Sequence, residues 1–327
     1  MSRTTRITIF LSCLAAAGCS SLDNASDTYK SFVIGNNGGG GTGGGTASGG
    51  AGAGGGMEAG PPGPSPWGCL DNPPMFTPAA NPPAMIEYRV SVKDFQLAIP
   101  VPNLSVKVCI IGDADCTAPY PFPVTNPVPQ DKRVISVMMP FGWQGFLRLN
   151  SAGAPPAGSD AGAVGYVQTD YYFGGPIVGS PSDPAMVHGE DILVPRLDEL
   201  ANFFGDVAAV PNPKAGILAV RTIDCNTSRA PGVLLNLITT QGVADPGFPF
   251  TLKGGVPFRS TPPTPTDYQG VAGFANIEPF EKFTVVSVQG RAPTGAIYPS
   301  DAATSSFRIR ANQLTLGELR PDYSYGK

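Results

Sequence analysis

Histidine is almost absent from this chain: 327 residues contain one, His188. That scarcity removes every metal centre built on two histidines and leaves a single candidate base for a nucleophilic Ser or Cys. Charge is scarce as well, since Asp, Glu, Lys and Arg make up 14% of the residues, where soluble domains usually carry about a quarter. The 21 Lys and Arg form no block and are outnumbered by 25 Asp and Glu, so the electrostatic footprint of a nucleic-acid binder is missing. No Cys-x-x-Cys pair supports zinc or redox chemistry. No Gly-x-Ser-x-Gly elbow occurs, and the glycine-rich residues 38 to 56 contain no Lys and precede no helix, which excludes a phosphate cradle. What the chain does have is 42 Gly and 36 Pro, a composition that argues against long helices, with no Gly-X-Y period to suggest collagen. A hydrophobic fraction of 42% with 17 Phe and 10 Tyr is enough to build a core, and the length suits about two domains.

Arg3 and Arg6 precede an apolar stretch, Ile7 to Ala17, that ends in Ala15-Ala16-Ala17-Gly18-Cys19. The stretch is too short to span a bilayer as a helix. A positive start, a short apolar run and small residues at the cut describe an export signal, and the Cys directly behind them resembles a bacterial lipobox. The resemblance implies removal of residues 1–18, acylation of Cys19 and stable anchoring to a membrane through several acyl chains. Ala16 stands where Leu is commonest in that motif, and an ordinary secretory signal cut near Ala17 is the plainer alternative. Ser20 and Ser21 in place of an Asp imply the outer membrane. From Gly35 to Gly63 there are 16 Gly in 29 residues and one charge, Glu58. Such a stretch cannot bury a core and is expected to be a flexible tether with a reach of about 30 Å.

Without residues 1–18, and with Cys19 lipidated, four cysteines remain in an oxidising compartment: Cys69, Cys109, Cys116 and Cys225. Three pairings can be drawn. Cys109 and Cys116 flank a turn-rich segment containing Gly112 and Asp113, so a local staple is expected there. Cys69 and Cys225 then form the second pair, the alternative being four buried free thiols.

Behind Trp67 the chain offers short apolar runs separated by Pro, Gly, Asn and Asp, which are strand and turn signals. Ile86, Tyr88, Val90 and Val92 alternate with Glu87, Arg89, Ser91 and Lys93, as a half-buried strand requires. Helical spacing occurs once, over 196–205, where Leu197, Leu200, Phe203 and Phe204 share a face between Pro195 and Gly205. The second half repeats the first. Ala219 to Cys225 followed by Pro231-Gly232-Val233 lines up with Arg89 to Phe95 followed by Pro102-Asn103-Leu104. Thr266-Asp267 with Gly270, then Pro279 and Phe283-Thr284-Val285, lines up with Gln130 to Val137, Pro140 and Phe146 to Leu149.

At these residues the chain resembles the carboxypeptidase regulatory-like family, a prealbumin-like (transthyretin-like) sandwich, more closely in the second copy than in the first, where Asn103 replaces the Gly and Arg133 falls where the turn Gly belongs. Across its length it is similar to surface lipoproteins of myxobacteria. The expected fold is all-β: two tandem prealbumin-like Greek-key sandwiches, over residues 67–180 and 213–327, joined by a connector at 181–212 with one short helix and preceded by a signal at 1–18 and a disordered tether at 19–66.

Little is left to carry chemistry. His188-Gly189-Glu190-Asp191 gathers the one histidine with carboxylates but lacks a second His or a Cys partner, and reads as a loop before the helix. The zinc-binding catalytic domain to which such modules are often appended is missing. Asp113, Asp115 and Asp160 sit in polar loops that suit weak calcium binding or plain solvation. Trp67, Trp143, Tyr171 and Tyr172 are the aromatics that could stack on a sugar, although core packing is the plainer reading of Trp143 and of the tyrosine pair. The expectation is a non-enzymatic surface lipoprotein without cofactor or metal, anchored through Cys19, whose head is structural, adhesive or protein-binding. A carbohydrate-binding accessory module of a secreted hydrolase system is the rival, so surface proteins or glycans are the expected partners, and nucleic acid is not.

Overall fold

The computed structural model describes residues 66–71, 83–101, 104–113, 115–121, 124–125, 134–151, 165–179, 185–189, 191–226, 228–239, 243–299 and 305–321. The expected signal, Cys19, the glycine-rich tether and Asp160 lie outside them. A single helical turn, α1 (Gly68–Asp71), precedes β1 (Met85–Asp94), β2 (Leu104–Ile110), β3 (Val124–Thr125), β4 (Val134–Pro140), β5 (Gly145–Ser151), β6 (Thr169–Tyr172), β7 (Met186–His188) and β8 (Ile192–Val194). Helix α2 (Leu197–Asp206) leads into β9 (Gly216–Thr222), β10 (Leu234–Thr239), β11 (Val243–Asp245), β12 (Phe248–Lys253) and β13 (Val256–Arg259). The chain continues through β14 (Val271–Pro279), β15 (Thr284–Arg291), β16 (Ile297–Tyr298), β17 (Ser306–Ile309) and β18 (Leu314–Leu319).

The fold is all-β, and strand pairing repeats between the two halves. β1 is antiparallel to β4 and parallel to β8, while β9 is antiparallel to β14 and parallel to β18. β5 lies antiparallel between β2 and β6, as β15 lies between β10 and β17. Each half is therefore a sandwich of the same two sheets. The halves are also fused, because β6 of the first pairs in parallel with β18 of the second. The result is a nine-stranded sheet in the order β13-β12-β14-β9-β18-β6-β5-β2 with β11 on β14. A five-stranded sheet around β1 and β4 and a four-stranded sheet around β15 complete the two sandwiches.

The alternation of side chains assigns each smaller sheet to its own face of the large one. Leu147, Leu149 and Tyr171 point to one face and pack with Ile86, Tyr88, Val90 and Val137 of the five-stranded sheet. Phe146, Tyr172, Leu218 and Val220 point to the other and pack with Leu235, Val286, Val288 and Ile309 of the four-stranded sheet. α2 covers the first face beyond the five-stranded sheet, where Phe204 packs with Ile217, Phe248 and Phe250. Its start is fixed by a capping box: Glu199 Oε2 accepts the Arg196 backbone N–H at 2.7 Å, and Asp198 and Glu199 lie in the first turn, where the helix dipole favours acids. Leu197, expected on the buried face, is 52% exposed, because the cap places it on the solvent side of the first turn.

The second-copy motif serves the chain path. Gly270 has φ of +64° and a Cβ there would stand 2.9 Å from the Thr222 carbonyl oxygen, so the turn into β14 requires glycine. Asp267 Oδ1 accepts the Gln269 N–H at 2.8 Å, closing that same turn. Thr266 Oγ1 accepts the Val233 N–H at 3.0 Å and donates to the Ala230 carbonyl at 2.9 Å, which ties the Pro231-Gly232-Val233 segment to the loop before β14.

Candidate functional site

Where the two sandwiches meet, the first face of the large sheet is left partly uncovered between the edge of the five-stranded sheet and α2. Cross-strand register explains the hollow. One row across the sheet reads Phe250, Gly273, Ala219, Leu316 and Tyr171 on neighbouring strands β12, β14, β9, β18 and β6. Ala219 carries only a methyl group, so the floor sinks there between bulky neighbours, while the Phe250 ring lies over Gly273. Phe95, Leu193 and Pro195 from the first sandwich, Leu200 and Phe203 from α2, and Leu252 and Pro257 from β12 and β13 form the walls of a cavity of about 160 Å³.

The next row across the sheet reads Val271, Arg221 and Glu318, and it sets a charged cluster at one end of the hollow. Glu318 is 5% exposed. Its Oε1 accepts from Tyr171 Oη at 2.8 Å and lies 3.5 Å from Arg221 Nη1, while Oε2 accepts from Arg320 Nε at 2.9 Å and from Arg320 Nη2. Burial alone would push this carboxyl up, but Arg320 and Arg221 together hold it below the usual carboxylate range. Arg221 Nη2 also donates to the Asp191 carbonyl at 3.2 Å, and Asp191 pairs with Lys93 of β1. Tyr88 and Tyr171, buried beside Glu318, have phenols raised by burial first and by the carboxylate second.

At the other end of the hollow, Glu199 accepts Arg196 Nη2 at 3.0 Å. Arg196 in turn lies 3.7 Å from Asp94, which accepts Tyr166 Oη at 3.0 Å. Burial pushes the Glu199 carboxyl up to about 7 against the Arg196 backbone N–H, with Asp94 adding to the rise and the Arg196 charge opposing it. A raised acid favours the folded state when protonated. Its contribution is full below the unfolded value of 4.5 and fades as pH rises through about 7. Urea denaturation is thus expected to give a lower midpoint at pH 8 than at pH 5, with the difference reduced in Glu199→Gln.

The candidate sugar-stacking residues Trp143, Tyr171 and Tyr172 do not form a platform. Trp143, Tyr171 and Tyr172 are all buried, and the two tyrosines point to opposite faces of the large sheet. Tyr172 stacks on Phe146 with ring centroids 4.9 Å apart, and Trp143 meets Phe173 edge-on at 5.7 Å. Tyr171 and Tyr172 pack inward because β6 is buried along its length, and the Trp143 ring, in the turn before β5, lies over Gly145, so no ring is left to lie against a sugar. His188 ends β7, in register with Arg89 of β1, and not in a loop. Asp115 accepts from Lys282 at 2.9 Å and Arg310 at 2.7 Å, while Asp113 accepts the Ala118 N–H at 2.8 Å. These two acids are occupied by cations and by their own turn. Among the described residues no group of three His, Cys, Asp or Glu is placed to hold a metal, and no helix is long and apolar enough to cross a membrane.

Both expected disulfides are present. Cys109 and Cys116 bridge with Cα atoms 5.3 Å apart across the turn after β2, and Cys69 and Cys225 bridge with Cα atoms 5.6 Å apart. Composition and periodicity gave no sign of the Glu318 cluster. The one available signal was the pair of charged residues Arg221 and Glu318 inside strands otherwise made of apolar and small residues.

No protein-family model matches the chain, and no curated protein matches it. The carboxypeptidase regulatory-like resemblance therefore rests on the motifs quoted above. Among solved structures, the chain is similar to a streptococcal ancillary pilin at 11% identity and a TM-score of 0.21, covering 72% of this chain and 69% of that one. It is also similar to the shaft pilin SpaA from Lactobacillus rhamnosus GG at 12% identity and a TM-score of 0.21, covering 73% and 98%. The major pilin subunit BcpA of Bacillus cereus follows at 12% identity and a TM-score of 0.18, covering 73% and 70%. Scores this low support no statement about family or activity.

Proposed function

We propose that the chain is a non-enzymatic surface lipoprotein, anchored through Cys19 and lifted on its glycine-rich tether, whose fused sandwiches bind other proteins at an open sheet edge. The observation that carries this reading is β10. It ends the four-stranded sheet, and among the described residues β15 is the one strand paired with it. The sequence Leu234-Leu235-Asn236-Leu237-Ile238-Thr239 has neither charge nor proline, the two devices by which sheet edges usually discourage pairing. Ile238 is 37% exposed on it. An edge of this kind suits the addition of a strand from a partner, with main-chain hydrogen bonds supplying affinity.

Beads coated with the purified full chain should bind intact cells of the producing bacterium saturably. Ile238→Lys should abolish that binding without lowering thermal stability, and Cys19→Ser should move the protein from the membrane to the soluble fraction. Full binding by Ile238→Lys, or membrane retention of Cys19→Ser, would refute the corresponding half of the reading.

A further inference from the structure

We propose that the hollow between the two sandwiches is a binding site for a small uncharged apolar ligand, of about the size of a single aromatic ring. It lies on the opposite face of the large sheet from the four-stranded sheet that carries β10 and does not depend on the reading above. Apolar side chains are left incompletely covered there. Leu200 and Phe203 of α2, Ala219 of β9, Leu252 of β12 and Leu316 of β18 are only partly buried, and all of them line the same cavity. Separate elements thus leave apolar surface around one space, where a junction closed by its own packing would leave none. Size sets the limit on what fits: the cavity of about 160 Å³ is close to the apolar cavity of roughly 150 Å³ that stays dry and takes up benzene. Phe95, Phe203 and Phe250 at its walls suit a ring, because aromatic pairs gain from edge-to-face contact beyond the area they bury.

The polar groups at its ends select against charge. At one end Glu318 accepts from Tyr171 and Arg320 and meets Arg221, and Arg221 also donates to the Asp191 carbonyl. At the other end Glu199 is held by the backbone N–H and the side chain of Arg196, and Arg196 meets Asp94 and Asp198 as well. The charged residues that border the cavity, Arg221, Glu318 and Glu199, are thus already engaged within the protein. A carboxylate or an ammonium group entering it would give up its water without gaining a counter-charge of its own. A neutral ring loses only apolar hydration, which favours binding, and covers the floor at Ala219 and Leu316.

Isothermal titration of the full chain at neutral pH with toluene, benzylamine and benzoate, single-ring compounds that differ in charge, tests this. One saturable toluene site is expected, with benzylamine and benzoate each weaker by about tenfold or more, since each must bury a charge that finds no partner. Ala219→Leu, which fills the floor from the sheet side, and Leu200→Trp, which fills the hollow from the helix side, should each weaken toluene by about tenfold or more while the melting temperature holds or rises. Toluene should raise the melting temperature of the wild-type chain and leave that of the filled variants unchanged. Benzoate or benzylamine binding as tightly as toluene would overturn the selection for a neutral ligand. Unchanged affinity in both filled variants would overturn the location, and no saturable toluene binding up to about 5 mM would overturn the proposal.

Discussion

Replacing Cys69 and Cys225 together by alanine should destabilise the head by about 3–5 kcal/mol, whereas the same change at Cys109 and Cys116 should cost about 2–3 kcal/mol. On the loop-entropy account the difference follows from sequence separation, 156 residues against 7, because the longer loop leaves more freedom to the unfolded chain once the bond is gone. The longer bridge also holds a packing element. Trp67 and Leu70 belong to the core of the second sandwich, Trp67 lies 5.5 Å from the ring of Tyr298, and the Cys225 N–H donates to the Pro66 carbonyl at 3.0 Å. Urea titration of the two double variants reads the order directly. An equal loss in both would mean that residues 66–70 stay docked without the covalent tie.

Glu318→Gln should be among the most damaging isosteric changes in the protein, at about 3–5 kcal/mol, since it removes the buried carboxylate that Arg221 and Arg320 share. The wild-type carboxylate contributes stability above its unfolded value of 4.5, and that contribution is lost as pH falls through its lower folded value. Wild type should therefore lose more stability than the variant on acidification in a window below about pH 4.5. Tyr171→Phe removes one hydrogen bond from the same carboxylate and should cost about 1 kcal/mol. A Glu318→Gln variant as stable as wild type at pH 7 would show that the cluster adds nothing to the junction of the sandwiches.

Local features were legible in the sequence and lateral ones were not. The alternation over Ile86, Tyr88, Val90 and Val92 appears as β1, with those four side chains buried, because a period of two reports directly which face is covered. The helix expected over 196–205 occupies Leu197–Asp206, and the repeat read from Asp, Pro and Thr-Asp landmarks returns as matching strand pairs. The fusion of the sandwiches through β6 and β18 was not readable, since a pattern along one strand says nothing about its neighbour. The same blindness left Tyr171 and Tyr172 open between a sugar platform and the core that holds them. Consecutive aromatics suggest a surface platform, but in a four-residue strand covered on both faces they fill two different cores. It also hid the hollow, whose floor dips because the small Ala219 falls in register beside Leu316 of a strand distant in sequence.

The Cys69–Cys225 bridge changes how the molecule would carry tension. A pull applied on the N-terminal side of Cys69 passes through the sulfurs to Cys225, beyond β9, and so into the remaining strands of the second sandwich, and the residues between the two cysteines, the whole first sandwich among them, are covalently bypassed. Under load the first sandwich can keep its shape while the second bears the force. With the bridge reduced, the same pull must run through β1 to β8 in series, and the first sandwich becomes the element exposed to unravelling.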